Sequence, residues 1–68
     1  MYKSVLTERE KEIFTLLIQN KTTKDIAKIL NISEKTVRNH ISNVIQKLCV
    51  TGRASAVVEL IKLGEITI

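Results

Sequence analysis

Proline is absent from this chain of 68 residues, and glycine occurs only at Gly52 and Gly64. With no proline-rich linker, low-complexity run or internal repeat, every break is a helix break, and two isolated glycines exclude a glycine-rich phosphate loop. No Ser/His/acid set is evident by motif either, so no enzyme is expected. Cysteine is limited to Cys49, which closes no internal disulfide, and with the lone His40 it supplies too few ligands for a structural zinc site. No metal, cofactor or small-molecule ligand is expected, and a reducing compartment fits. No apolar run approaches the roughly 18 residues of a membrane span, and Met1-Tyr2-Lys3-Ser4 lacks a signal peptide's apolar region. The expectation is a cytoplasmic protein with no membrane partner. A chain this short makes one domain, residues 1–68, and buries only about 60% of its unfolded surface, which makes dimerisation a ready source of stability.

What the chain does have is positive charge. Eleven Lys and Arg stand against seven Asp and Glu, a net +4. The excess is concentrated: residues 33–53 carry four basic groups and one acidic, whereas residues 54–68 carry one and two. An anionic partner for the middle of the chain follows from that distribution.

Helix signals occupy almost the whole sequence. Thr7-Glu8-Arg9-Glu10 has the form of a capping box, so a first helix starts at Thr7, with Ile13, Leu16 and Leu17 turned inward and Asn20 as its left-handed stop. Thr22-Thr23-Lys24-Asp25 repeats the box and opens a short helix through Ile26, Ala27, Ile29 and Leu30. Only Asn31-Ile32-Ser33 separates it from the next, a gap that suits a helix-turn-helix corner in which the small Ala27 lets two helices cross closely.

The third helix, Ser33 to Leu48, organises the rest. Val37, Ile41, Val44 and Leu48 recur at i, i+4, i+7 and i+11, a stripe that must be buried. The opposite face presents Lys35, Arg38, Asn39, Ser42, Asn43 and Gln46, donors and acceptors with no carboxylate after Glu34. Arg pairs bidentately with guanine, Asn does so with adenine, and hydroxyls and Lys suit phosphate oxygens. A fourth helix follows Val50-Thr51-Gly52. Its pattern assigns Ala54, Val57, Val58 and Ile61 to the core and leaves Ala56, Leu60 and Leu63 as a surplus face for a two-fold homodimer, extended by Ile66 and Ile68 in the tail. Lys3, Lys11, Lys21 and Lys28 read as solubilising charges, and His40, close to the apolar stripe, as a helix-packing or phosphate-proximal residue.

Four segments carry a family resemblance: Leu6-Thr7-x-Arg9-Glu10; Thr22-x-x-Asp25-Ile26-Ala27-x-x-Leu30; Ile32-Ser33-Glu34-Lys35-Thr36-Val37-x-x-His40; and Lys47-Leu48 with Arg53-x-x-Ala56-Val57. Together they resemble the LuxR/FixJ-type DNA-binding domain over nearly the whole chain. The resemblance implies an all-α, four-helix, helix-turn-helix domain with a recognition helix at about 34–48 and a C-terminal dimerisation helix at about 53–63. Carried over by position, Lys35, Arg38, Asn39 and Ser42 would face bases, while Arg9, Lys24, Thr36, Asn43 and Lys47 would hold phosphates. One departure is Cys49, where the family usually has glycine.

The likeness is to stand-alone members that control spore-coat genes. It implies a sequence-specific transcription regulator, activating or repressing, that binds double-stranded promoter DNA of late sporulation genes as a homodimer and recruits or obstructs RNA polymerase. Two other readings stay open: a helical protein-interaction adaptor, and a promoter-reading module like that of a sigma factor.

Overall fold

Each helix start can be traced to a local signal. The computed structural model describes residues 6–67, so Met1-Tyr2-Lys3-Ser4 and Ile68 lie outside the described residues. Four helices follow in order: α1 (Glu8–Ile18), α2 (Thr23–Leu30), α3 (Glu34–Leu48) and α4 (Arg53–Lys62). Both capping boxes form. At α1 the Glu10 amide donates to Thr7 Oγ1 at 3.2 Å and the Thr7 amide donates to Glu10 Oε1 at 2.9 Å. Thr22 and Asp25 make the same exchange at α2, at 3.1 and 3.2 Å. Ser33 caps α3 by accepting from the Thr36 amide at 3.0 Å. Only α4 starts without a side-chain cap, from Gly52.

All four helices stop in the same way. Asn20, Asn31, Cys49 and Gly64 hold positive φ values of 67°, 58°, 56° and 75°. In each case the next residue's amide reaches back five positions: Lys21 to Leu16, Ile32 to Ala27, Val50 to Ile45 and Glu65 to Leu60. These are Schellman turns, which satisfy carbonyls that the helix end would otherwise leave open. Asn tolerates the left-handed region and Gly adopts it freely, whereas Cys49 carries a Cβ there at a cost of about 1 kcal/mol. The Asn31 turn is the corner that swings α2 into α3.

Packing is arranged around α3, which contacts each of the other three helices. Val37, Ile41 and Val44 are buried as the stripe requires, and Leu48 packs at its edge. Ile13 and Phe14 of α1 and Ile26 and Ala27 of α2 complete the centre, with Leu16 and Leu17 only partly covered. Ala27, almost fully buried, stands in the short α2–α3 unit where a larger side chain would push the helices apart. Ile29, expected with the apolar residues of α2, is 54% exposed.

The phase of α4 differs from the expectation. Ala56 and Leu60 are both 0% exposed and belong to the protomer's own core, joined by Ile66, so these three do not form a face for a second copy. Ala54 and Val58, expected in the core, are exposed instead, and of the described residues expected at the dimer interface, Ala56, Leu60, Leu63 and Ile66, only Leu63 remains on the surface. α4 packs against α3 with the small Ala56 on its buried side, and Leu60, one turn later, falls on the same inward line. Ile66 returns to that core after the left-handed turn at Gly64.

Leu60→Asp therefore unfolds the chain rather than releasing monomers. Even Leu60→Ala removes about 2–5 kcal/mol from a domain whose total stability is about 5–15 kcal/mol. Circular dichroism of the variant checks this; a folded helical monomer would return Leu60 to an interface.

Candidate nucleic-acid interface

The surface opposite the buried stripe of α3 is a direct consequence of helix geometry. Positions 35, 38, 39 and 42 follow the i, i+3, i+4, i+7 rule, and Lys35, Arg38, Asn39 and Ser42 are all exposed. The four expected base-facing residues therefore share one solvent face, within the first nine residues of the helix that follows the Asn31 corner. Asn43 is exposed beside them, and Thr36, partly covered, exchanges a hydroxyl hydrogen bond with Ser33 at 2.9 Å. On the other elements Lys24 of α2 is exposed and Arg9 of α1 partly so.

Two of the cations are loosely tethered. Arg38 Nη1 lies 3.7 Å from Glu34 Oε1, and Arg9 Nη1 lies 3.5 Å from Glu12 Oε1. Both are exposed single-turn pairs, worth about 0.3–0.5 kcal/mol, so a phosphate or a guanine edge can draw either guanidinium away. Glu34 is the only carboxylate on α3. Its attachment to Arg38 offsets repulsion from an approaching polyanion.

Lys47 is held differently. Its ammonium is 2.7 Å from Oε1 of Glu10, and Glu10 is only 3% exposed. The same oxygen accepts the Thr7 amide, so one buried atom serves the α1 capping box and the last turn of α3. Sequence reasoning found Glu10 as a cap and missed it as a counter-ion, because its partner stands 37 residues away.

Burial alone would raise the Glu10 pKa, but the hydrogen bond and charge of Lys47 and the bonds from Thr7 outweigh it and hold the carboxyl below its ordinary 4.5. Asp25 is lowered too, by the backbone and side-chain hydrogen bonds of Thr22. Among the described residues no three His, Cys, Asp or Glu side chains gather as a metal site, and no helix is long and apolar enough to cross a membrane.

A short α2, a three-residue corner and a longer α3 with one buried stripe and one cationic, amide-bearing face define a helix-turn-helix DNA-binding transcription regulator. The chain belongs to the bacterial regulatory proteins of the luxR family, whose pattern it matches over residues 4–60. It is 66% identical over 64 residues to the spore germination protein GerE of Bacillus subtilis (strain 168), covering 94% of this chain and 86% of that protein. The transcriptional regulatory protein DegU of Brevibacillus brevis is 48% identical over 60 residues, which span 88% of this chain but 25% of DegU. The solved structure of the transcription factor GerE superposes with a TM-score of 0.94 at 62% identity, covering 96% of this chain and 97% of the other.

Glu10 ties stability to pH. Because its folded pKa lies below the unfolded value, its stabilising contribution is fully present above about pH 4.5 and is lost as the pH falls through the folded value. Thermal unfolding of the wild type and Glu10→Gln from pH 7 to pH 3 should show a gap that is constant down to about pH 5 and closes below it. A gap independent of pH would mean that the carboxylate charge contributes nothing.

Proposed function

We propose that the chain acts as a homodimer that reads promoter DNA with two copies of α3 and controls genes of late sporulation in the cytoplasm, recruiting or obstructing RNA polymerase. The observation that carries this reading is the shared solvent face of Lys35, Arg38, Asn39 and Ser42, on a helix whose other side is fully engaged in the core. Arg38 and Asn39 bring the two side chains best suited to bidentate recognition of guanine and adenine. Arg9, Lys24, Thr36 and Asn43 surround them as phosphate ligands, which fix register without reading sequence. Sporulation rests on the likeness to GerE, a spore germination protein.

The dimer is assigned to the outer side of α4. Val50, Ala54 and Val58 line a shallow cleft there with Ser55, Glu59 and Lys62 at its edges, and Val58 is 53% exposed. Leu63, 45% exposed, lies at the end of the same helix. An apolar strip flanked by one acid and one base suits a two-fold contact, because each Glu59 can meet the other copy's Lys62.

Titration of selected and random duplexes at several salt concentrations tests the DNA reading. A steep negative slope of log K against log [salt] with sequence-dependent affinity is expected. A flat slope without binding would favour a protein-interaction adaptor. Arg38→Ala should cost about 1–3 kcal/mol on the selected site and relax preference at one base pair. An equal loss on every sequence would move Arg38 to the phosphate set.

Val58→Asp should give a folded monomer in sedimentation, with helix content unchanged. A persisting dimer would place the contact elsewhere.

A further inference from the structure

The Glu10–Lys47 pair joins the beginning of α1 to the end of α3, and its chemistry sets what Lys47 can do. Glu10 is 3% exposed, and its Oε1 takes both the Thr7 amide at 2.9 Å and the Lys47 ammonium at 2.7 Å. A lysine that swung out to a DNA phosphate would leave that carboxylate charged and buried with a backbone amide in place of its countercharge. Glu10 is the buried member and Lys47 the partly exposed one, so withdrawing the ammonium costs the carboxylate its countercharge where water reaches it poorly. Lys47 is therefore committed inward even though its side chain is 37% exposed.

The rest of α3 is held by contacts that specify position poorly. Apolar burial at Val37, Ile41 and Val44 is non-directional and tolerates small rolls and slides of the helix. A charge-assisted hydrogen bond fixes distance and direction at one point. The Asn31 corner holds the start of α3, and the Glu10 pair holds its last turn. Lys35 and Lys47 are twelve residues apart, about 18 Å along the helix at 1.5 Å per residue, so a small pivot at the last turn displaces the reading residues laterally.

From this geometry, and resting on the DNA-reading role above, we infer that Lys47 is a positioning residue for the recognition helix, anchored by the buried Glu10, and not a phosphate ligand. Glu10, which is covered by the fold, thereby acts on base preference through α3.

The test compares the full-length wild type with K47M, K47R and E10Q in salt titrations on selected and random duplexes. Circular dichroism monitors the fold. Wild type that fails to bind DNA at all defeats the DNA reading itself. Given wild-type binding, K47M and E10Q should each lower the preference for the selected site by about tenfold, the size of one good base contact, with an unchanged salt slope. K47R should restore the preference. A K47M slope shallower by about 0.9, with equal loss on all sequences, would make Lys47 a phosphate ligand and overturn the inference. Unchanged preference in E10Q would overturn it as well. Where K47M does not fold, nitrogen-detected NMR of the wild type decides: a Lys47 ammonium signal that stays in place on adding duplex supports the anchor, and one that moves with the phosphate contacts rejects it.

Discussion

Burial of one stripe of α3 is the constraint on which the rest of the molecule depends. A chain of 68 residues has room for one small core, and Val37, Ile41 and Val44 supply its centre, with α1, α2 and α4 packed around them. A helix covered on one side by three neighbours has its other side left to solvent. The face bearing Lys35, Arg38, Asn39 and Ser42 is thus produced by the same requirement that folds the chain. Substitutions on it leave core packing untouched, so the reading chemistry can vary while the scaffold stays.

A second constraint falls at Glu10. A carboxylate taken out of water is costly, and a neutral residue of similar shape would pack there at less expense. What the charge adds is a contact that links two distant helix ends through a single oxygen atom. Beside its pH-dependent contribution to stability, that contact fixes distance and direction between the two helix ends at one point.

Much of this was legible in the residues because the signals are short-range. The capping boxes at Thr7 and Thr22 span three positions, and the left-handed stop at Asn20 depends on the immediate helix end. The stripe of α3 is strict enough to fix which side is buried and which faces solvent. The phase of α4 was not legible. Ala54/Val58 and Ala56/Leu60 are two apolar pairs at the same i, i+4 spacing, and periodicity alone does not separate them. Which pair is buried is decided by how α4 packs against the rest of the core, and that is tertiary. The Glu10–Lys47 contact was hidden for the same reason, since a partner 37 residues away leaves no local pattern.

The corrected phase of α4 also bears on how two copies would meet DNA. With Ala56 and Leu60 in the core, the exposed side of α4, a helix that packs on α3, carries Ala54 and Val58. A two-fold contact there sets the order α3, α4, α4 and α3 across the dimer. At about 8–10 Å between packed helix axes, that order separates the two α3 axes by about 24–30 Å at most, somewhat short of the roughly 34 Å between successive major grooves. The shortfall is made up only if the two α3 helices diverge toward their N-terminal ends. Those are the ends where Lys35, Arg38 and Asn39 stand, with Lys47 in the last turn of the same helix. Residues proposed to read bases at the first turns of α3 are the ones that such a divergence would carry furthest apart.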